Sequence, residues 1–381
     1  MVERAAAPEI SERRRRLLSA TRSLTTPLLP DDYLALLDPR WSTREATGRI
    51  VEIRPEPDGM ATIVIEPLFP WPGHAPGQYL RIGVEIDGIR HWRAYSLTSD
   101  PDHPRGLVSI TVKRVEGGRV SSYLAGNARP GRQVFLGEIE GTFVLPDPTP
   151  ERPLFISAGS GITPVMSMIR ELARREQLAD VVHVHCTRRP EDFAFGEMLQ
   201  TLSSARPGYR LHAHFSSEQG RLSPADLDEL CPDWGSREAF LSGPGSMLDA
   251  MSAHWRAQGE SERLRVEHFQ PFAPDGGAGG LGMGGTIRFR VSGLEAESDG
   301  KTPILVAGEQ AGGKLAFGCR MGVCHTCICR LDAGRVRDLR TGQVHGSPGE
   351  MILACINAPE GPIEIGEGHV VITNTSTRSQ K

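Results

Sequence analysis

Long hydrophobic runs are missing from this sequence of 381 residues. No apolar stretch approaches the roughly 18–20 residues that a membrane-spanning helix needs. The basic run Arg13–Arg16 is not followed by the apolar block of a signal peptide. A large excess of one charge is missing too, because 43 Lys and Arg residues face 47 Asp and Glu residues, and this balance gives no sign of nucleic-acid binding. We therefore expect a soluble, cytosolic protein of several domains.

Cysteine is scarce in most of the chain. Only Cys186 and Cys231 precede residue 319, and the total of seven is odd. Because secreted disulfide-rich proteins have many cysteines in an even number, a disulfide framework is not expected. The other five cysteines crowd into the C-terminal quarter, where they indicate a metal site.

Four of these cysteines have the spacing C-x4-C-x2-C…C of a plant-type [2Fe–2S] ferredoxin. In this motif three thiolates converge from one tight loop, and the fourth arrives from a separate segment. A four-cysteine zinc site is the alternative, although zinc sites usually pair two short cysteine knuckles. The sequence therefore predicts an iron–sulfur cluster held by Cys319, Cys324, Cys327 and Cys355.

Two further residues near the loop are not expected to be ligands. Cys329 shares a face with Cys327 if a strand begins here, which places it near the cluster without a role. His325 lies between two of the predicted ligands, but a Rieske centre requires two histidines.

The residues around the cysteines predict a small sheet domain. Apolar residues alternate with arginines from Ile287 to Val291, as in a half-buried strand. A helix begins on Pro303 and closes at Gly312, and the apolar strand Met351–Cys355 carries the last ligand. Residues 286–368 resemble the plant-type ferredoxin domain, which implies an α+β fold of the β-grasp type.

A one-electron cluster needs an intermediary when the electrons come from a hydride donor. Nicotinamides give two electrons as hydride, whereas a flavin accepts hydride and releases electrons singly. Residues 44–147 fit a flavin domain, because short strands recur between turn residues and predict a closed antiparallel barrel. The six predicted strands are Arg49–Ile53, Ala61–Glu66, Gln78–Val84, Trp92–Leu97, Leu107–Lys113 and Gln133–Leu136.

Two motifs in this segment resemble those of the ferredoxin–NADP reductase family. Arg93-Ala94-Tyr95-Ser96 matches its RxYS motif. The resemblance implies that Arg93 pairs with a flavin phosphate, and that Tyr95 and Ser96 are the catalytic pair, packed on the flavin and bonded near its N5. FAD is expected, and FMN is the alternative, because phthalate-dioxygenase-type reductases use FMN in the same barrel. The second motif resembles the GGxxS element that binds the FAD diphosphate, through Gly118, Val120, Ser121 and Ser122.

From about residue 148 the pattern changes to strand–helix alternation, which indicates a parallel α/β sheet. The strand Leu154–Ala158 runs into a GxGxxP turn like that of the same family, and its backbone N–H groups suit a pyrophosphate. A second strand ends at Arg188 and Arg189, where a parallel sheet binds ligands. These arginines favour the 2′-phosphate of NADPH, but the nearby Asp192 keeps NADH as an alternative. The other cofactor residues expected here are Gly159, Gly161, Thr163, Pro164 and Thr187.

Two later segments resemble parts of the family's nicotinamide site. One matches the CGPxxM element, except that Ser242 stands where cysteine is common. The other is the acidic–x–aromatic pair Glu267 and Phe269, which some family members place near the flavin face. An ordinary last strand is the alternative for this pair. The matching residues of the first element are Gly243, Pro244 and Met247.

The order of the modules resembles NAD(P)H-dependent oxygenase and desaturase reductases that carry a C-terminal plant-type ferredoxin domain. This resemblance implies an oxidoreductase that moves hydride from NADPH to a flavin and single electrons through the cluster to a terminal oxygenase. A membrane di-iron fatty-acid desaturase or hydroxylase is the expected acceptor, and peripheral membrane association would follow from it. The alternatives are a cytochrome P450 or ring-hydroxylating dioxygenase as acceptor and, more distantly, a zinc-stabilised scaffold without activity. The predicted segments are 1–43 (a partly helical extension), 44–147, 148–271, 272–285 (a glycine-rich linker) and 286–381.

Overall fold

The structure is a computed structural model that describes residues 46–268, 282–313, 315–317, 320, 322 and 325–366. The chain divides into two compact units, Met1–Phe269 and Gln270–Lys381. The predicted extension 1–43 and most of the predicted linker lie outside the described residues. Within the described part, no helix is long and apolar enough to cross a membrane.

The first sheet of the larger unit is an antiparallel barrel of six strands. Their spatial order is β4-β3-β6-β1-β2-β5, and a bridge between Leu97 and Ile110 joins the two edge strands. Inward-facing residues such as Ile63, Leu80 and Ile82 are fully buried, because alternate side chains of each strand point into the barrel. All six predicted strands are confirmed. Their bounds are β1 (Thr47–Glu56), β2 (Met60–Pro67), β3 (Tyr79–Ile86), β4 (Ile89–Ser96), β5 (Val108–Lys113) and β6 (Gln133–Glu140).

A short helical segment follows β5. Helix α1 (Arg119–Ser122) continues into one π-helical turn, Tyr123–Asn127. Val120 and Leu124 are buried in the barrel core, so this segment is fixed to the barrel by its apolar face.

The second sheet of the larger unit is parallel throughout, in the order β11-β10-β7-β8-β9. Strand β7 is apolar and buried on both faces, as expected where helices cover both sides. The predicted parallel α/β sheet is confirmed. The strands are β7 (Pro153–Ala158), β8 (Val181–Thr187), β9 (Tyr209–Phe215), β10 (Glu238–Gly243) and β11 (Leu264–His268). The helices are α2 (Ile162–Arg174), α3 (Gly196–Ala205), α4 (Ser216–Gln219), α5 (Pro224–Leu230) and α6 (Gly245–Ala257).

The smaller unit has an α+β fold. A five-stranded sheet has the order β13-β12-β19-β14-β17, and a three-stranded sheet has the order β16-β15-β18. Helix α7 (Ile304–Gln310) buries Ile304 and Leu305 against the sheet core. Its strands are β12 (Gly285–Phe289), β13 (Glu295–Ser298), β14 (Ile328–Ala333), β15 (Val336–Asp338), β16 (Val344–His345), β17 (Glu350–Leu353), β18 (Asn357–Pro359) and β19 (Ile363–Gly366).

Two details of the smaller unit differ from the sequence expectation. The first strand ends at Phe289 rather than Val291, because the N–H of Gly293 donates to the carbonyl of Phe289 in a turn. The last predicted strand ends at Leu353, whose carbonyl accepts from the N–H of Ile356. Cys355 therefore lies in a turn and not in a strand.

Candidate active site

The GxGxxP turn connects β7 to α2. Gly159 has a φ of +53° and an open space where a Cβ would stand. Gly161 has the opposite surroundings, because a Cβ there would lie 2.2 Å from the carbonyl oxygen of Ser242. Thr163 donates its hydroxyl to the carbonyl of Ser160 at 3.0 Å, and Pro164 lies in the first turn of α2. The turn is therefore pressed against β10 on one side and open on the other.

A cleft of about 780 Å³ lies on the open side of this turn. It runs along the carboxyl ends of the parallel strands, where such sheets bind ligands. Thr187, Arg188 and Arg189 line it after β8, and Pro244 and Met247 line it at the start of α6. Its volume is in the range of small-molecule and cofactor sites. Its size and its lining residues therefore fit a nicotinamide nucleotide.

The arginines of the cleft are not equivalent. Arg189 pairs with Glu191 at 3.1 Å and with Asp192 at 3.3 Å, so its charge is already balanced, and its expected role at a 2′-phosphate stays a prediction. Arg188 and Arg221 also line the cleft, and neither has a carboxylate partner among the residues that the structure describes. Two uncompensated guanidinium groups therefore face this end of the cleft, where they suit an anionic ligand.

Strand β10 carries an unpartnered hydroxyl to the same region. Ser242 is fully buried, and its Oγ has no hydrogen-bond partner within the described part of the chain. An unpaired buried polar group is costly, but Ser242 is not one of the residues that line the cleft. Gly243 follows, and a Cβ there would lie 2.6 Å from Cε of Met247. The CGPxxM-like element is thus closely packed where it meets the cleft.

Glu267 lies beside Ser242 in the register of β11 and β10. Burial raises the pKa of Glu267 to about 7, because a carboxylate loses hydration in this half-buried position. Phe269, the other member of the predicted pair, lies outside the described residues.

Strand β4 carries the RxYS residues of the barrel. Arg93 and Tyr95 alternate along the strand and share a face, while Ser96 ends it and is buried. Burial raises the pKa of Tyr95 well above its ordinary value, so the phenol remains protonated. Arg93 donates to the carbonyl of Trp92 at 2.7 Å.

The GGxxS segment forms a tight loop at α1. A Cβ on Gly118 would lie 2.4 Å from Oγ of Ser121, so a side chain there would require the Ser121 hydroxyl to turn away. Oγ of Ser121 accepts from the N–H of Val115 at 3.3 Å, and Ser122 donates to the Val115 carbonyl at 3.4 Å. The side chain of Val120 belongs to the barrel core, so this residue can meet a cofactor only through its backbone, and its expected role at the diphosphate stays a prediction.

A positive site lies between this loop and β4. Nε2 of His91 is buried and has no partner among the described residues. Burial lowers the pKa of His91, and the charges of Arg119 and Arg93 lower it further. Two cations beside an unsatisfied ring nitrogen fit the diphosphate of a flavin nucleotide.

Sequence reasoning missed several of these residues. Arg119 lies inside the GGxxS motif but has no fixed identity there, and His91 lies outside the RxYS motif. Arg221 is distant from Arg188 in sequence and meets it only through the β8–β9 pairing. Lys113, at the end of β5, forms an ion pair with Asp58, and both line the cleft. One sequence signal could have found Arg221. This residue follows β9 in the chain, and the carboxyl ends of the parallel strands β8 and β9 lie at the same edge of the sheet.

Two of the four predicted cluster ligands lie in the described residues. Cys327 and Cys355 are 5% and 4% exposed. Their segments are tied together, because the N–H of Ala354 donates to the carbonyl of Cys327 at 3.1 Å. Neither cysteine is in a disulfide. Two buried thiols from separate segments fit a cluster as the ligand spacing requires, while Cys319 and Cys324 lie outside the described residues.

The neighbours of these thiols agree with the predicted alternation. Ile328 is 38% exposed whereas Cys327 and Cys329 are buried, so Cys329 points to the inner face of β14, and Cys327, just before the strand, is buried on the same side. Gly322, in the ligand loop, has a φ of +77°, and a Cβ there would lie 2.5 Å from Cδ1 of Ile356. Gly322 therefore packs directly against the turn that carries Cys355.

Comparison with protein-family models gives three matches along the chain. Residues 72–143 match an oxidoreductase FAD-binding domain, residues 155–252 an oxidoreductase NAD-binding domain, and residues 289–360 a 2Fe-2S iron-sulfur cluster binding domain. These segments coincide with the barrel, the parallel sheet and the smaller unit.

Comparison with curated proteins finds an NADPH oxidoreductase of Mycobacterium tuberculosis that is 44% identical over 89% of this chain and 88% of its own length. The chain belongs to this family of NAD(P)H-dependent flavin and iron–sulfur reductases. It is also 30% identical to the ferredoxin reductase component of 3-ketosteroid-9-alpha-monooxygenase of the same organism, over 75% of this chain and 83% of that protein.

Among solved structures, the reductase has the fold of phthalate dioxygenase reductase. The TM-score is 0.56 at 20% identity, over 86% of this chain and 99% of that one. The protein is an NAD(P)H-dependent flavin and iron–sulfur oxidoreductase, with FAD, NAD(P)H and a [2Fe–2S] cluster as cofactors.

The close approach of Gly161 to Ser242 gives a first prediction. In Gly161→Ala the new Cβ collides with a backbone carbonyl that cannot rotate away, so the turn and β10 must separate. Because such overpacking costs about 1–3 kcal/mol, we expect NADP⁺ to bind roughly tenfold more weakly or worse, as measured by isothermal titration calorimetry. The control is Gly235→Ala, where the nearest atom to a Cβ is 3.9 Å away. Equal affinity in both variants would contradict the packing argument.

Glu267 gives a second prediction. Its pKa is about 7 in the folded protein against an ordinary value of 4.5, so its ionisation disfavours the folded state, and its contribution to stability declines as the pH rises from about 5 to 7. We expect the thermal unfolding midpoint of Glu267→Gln, measured without nucleotide, to rise relative to wild type over this interval. The exposed Glu262 supplies the control variant Glu262→Gln. Parallel pH profiles for Glu267→Gln and wild type would contradict the assignment.

Proposed function

We propose that this reductase takes hydride from NADPH and supplies single electrons to an iron-dependent terminal oxygenase such as a ring-hydroxylating dioxygenase. The observation that carries the nucleotide preference is the pair Arg188 and Arg221, which line the cleft without carboxylate partners in the described structure. An acid in their place would favour the ribose hydroxyl of NADH instead. Glu191 and Asp192 form ion pairs with Arg189 and not with Arg188 or Arg221, so the charges of Arg188 and Arg221 remain uncompensated among the described residues.

The names of the similar proteins support the choice of acceptor. They are the reductase component of 3-ketosteroid-9-alpha-monooxygenase and phthalate dioxygenase reductase. This supports an oxygenase of the monooxygenase or dioxygenase kind over the membrane desaturase that the sequence alone favoured. The match of residues 289–360 to a 2Fe-2S domain likewise favours electron transfer over the zinc-stabilised scaffold.

The flavin is assigned to the barrel side of the site. In this assignment Arg93 and Arg119 hold its diphosphate, and the loop that begins at Gly118 brings backbone N–H groups to it through Ser121 and Ser122. Tyr95 packs on the flavin, with its phenol kept neutral by burial. In the same assignment the buried Ser96 hydroxyl, at the end of β4, would hydrogen-bond the ring.

The nicotinamide nucleotide is assigned to the cleft. The turn from Gly159 to Pro164 receives the pyrophosphate on its open side, while Thr163 braces it through the Ser160 carbonyl. Thr187 shapes the end of β8 by donating to the carbonyl of Arg189 at 2.9 Å. The segment from Gly243 through Pro244 to Met247 closes the floor of the cleft beside the unpartnered Ser242 hydroxyl.

When bound, NADPH supplies hydride, FAD converts the electron pair into single electrons, and the cluster carries them one at a time. The residues of this chain need no general base, because no substrate proton is abstracted. Their task is to hold two rings in contact and to exclude water from them. Cys327 and Cys355 anchor the cluster in a unit with its own core, which supports a role as the point where electrons leave the protein.

The nucleotide preference is tested by the double variant Arg188→Glu/Arg221→Glu. Because a charge-assisted contact to phosphate contributes about 1.5–3 kcal/mol, we expect kcat/KM for NADPH to fall roughly 10–100-fold while that for NADH stays within about threefold, with ferricyanide as acceptor. Arg256→Glu, on the exposed side of α6, is the control. An equal loss for both nucleotides would show that the two arginines do not read the 2′-phosphate.

The cluster assignment is tested by comparing Cys355→Ser with Cys329→Ser. We expect Cys355→Ser to lose iron, acid-labile sulfide and the cluster absorbance while keeping its flavin, because the flavin belongs to the other unit. Cys329→Ser should keep all of them. Zinc in place of iron in the wild-type protein would support the scaffold alternative.

The acceptor is tested by mixing the reductase and NADPH with a candidate oxygenase. We expect product to form with a purified ring-hydroxylating dioxygenase and none to form with a di-iron desaturase in liposomes.

A further inference from the structure

Helix α2 contacts both sites of the larger unit. It begins directly after the Gly159–Gly161 turn, and its middle part contacts the barrel. Oγ of Ser167 accepts from the N–H of Gly77 at 2.7 Å in a buried hydrogen bond. Met168 packs on the same glycine so closely that a Cβ there would lie 2.4 Å from its Cε. One helix thus joins the nucleotide turn to the barrel loop that precedes β3.

Arg170 makes a second contact from the same helix. Its Nη1 donates to the backbone carbonyl of Thr98, and its guanidinium lies 5.6 Å from the ring centroid of Phe195. No carboxylate lies within ion-pair distance of it among the described residues, and burial lowers its pKa. A full positive charge is therefore directed at one main-chain oxygen of the barrel, which makes a strong hydrogen bond in a poorly hydrated place.

Both contacts reach the same end of the β3–β4 pair. Gly77 stands just before β3, Thr98 stands just after β4, and Tyr79 pairs with Ser96 between them. The N–H of Leu97 also donates to the carbonyl of Gln78 at 2.9 Å. This end of the pair carries the RxYS residues Tyr95 and Ser96.

Thr98 is also part of the barrel's closing seam. Its N–H donates to the carbonyl of Ser109 at 2.7 Å, and its hydroxyl lies 2.8 Å from the hydroxyl of Ser109. The Leu97–Ile110 bridge is adjacent. Arg170 therefore holds the segment that closes the barrel, and a shift of this segment would move the end of β4.

We infer that Ser167 and Arg170 are positioning residues that set the spacing between the nicotinamide and the flavin. Hydride transfer needs the reacting atoms about 3–3.5 Å apart, and a misplacement of about 1 Å can cost about a hundredfold in rate. The two cofactors are assigned to different sheets, so the contacts that join the sheets set their separation, and those of α2 with the barrel are among them. The inference rests on the oxidoreductase activity of the family and does not depend on which oxygenase accepts the electrons.

The test uses Arg170→Met and Ser167→Ala in the flavin- and cluster-loaded protein. Flavin reduction by NADPH is followed in single turnovers by stopped flow, and NADP⁺ affinity is measured by calorimetry. We expect the reduction rate to fall roughly 10–100-fold, with NADP⁺ affinity and flavin content within about twofold of wild type. The primary isotope effect with deuterated NADPH should rise, because hydride transfer then limits the observed rate. Arg170→Lys keeps a charged donor and should recover part of the rate, and Arg256→Met is the unaffected control.

A readout without turnover completes the test. Amide hydrogen exchange of residues 97–110 in the flavin-loaded protein, without nucleotide, should speed up in Arg170→Met and stay unchanged in Arg256→Met. Unchanged exchange together with an unchanged reduction rate would overturn the inference. A parallel loss of flavin, nucleotide affinity and rate would also overturn it, because that pattern describes a general folding defect. A wild-type protein that reduces its flavin but passes no electrons to an oxygenase would contradict the proposed acceptor alone.

Discussion

The contact between Gly161 and the carbonyl oxygen of Ser242 is the constraint on which the larger unit depends. A Cβ at residue 161 would lie 2.2 Å from that oxygen, so the turn after β7 and the end of β10 can meet only because a side chain is missing. This meeting opens the cleft on one side, brings Ser242 beside Glu267 on the other, and sets the starting point of α2. Every later contact of α2 with the barrel follows from that starting point.

The local part of this architecture could be predicted from the sequence. The six barrel strands, the apolar strand β7 and the helix after Pro303 are each encoded by a pattern within a few residues, because side-chain alternation and end signals act locally. The inner-face placement of Cys327 and Cys329 followed from the same alternation. The position of Cys355 in a turn could not be predicted in this way. It depends on the hydrogen bond from the N–H of Ile356 to the carbonyl of Leu353, which side-chain alternation does not reveal.

The electrostatics of the site could not be predicted in the same way. Arg188 and Arg189 are adjacent in sequence, yet Arg189 is compensated by Glu191 and Asp192 while Arg188 is not. That difference depends on side-chain rotamers. Arg221 joins Arg188 only because β9 lies next to β8, and Arg119 and Arg93 act together only because α1 lies against β4. Sequence motifs do not predict such long-range neighbours, because a motif contains only residues that are close together in the chain.

Two contacts of helix α2 with the barrel are made to main-chain atoms, since Ser167 binds the N–H of Gly77 and Arg170 binds the carbonyl of Thr98, whereas Arg174 pairs with the carboxylates of Asp100 and Asp102. Main-chain atoms are the same whatever side chain a residue carries. Replacement of Thr98 can therefore keep its contact with the helix, whereas Gly77 admits no side chain, because a Cβ there would lie 2.4 Å from Cε of Met168. The alignment of the two sheets is shared with other contacts, such as the hydrogen bond from the N–H of Phe195 to Glu56 of β1 at 3.4 Å, so it does not depend on one barrel side chain at position 98.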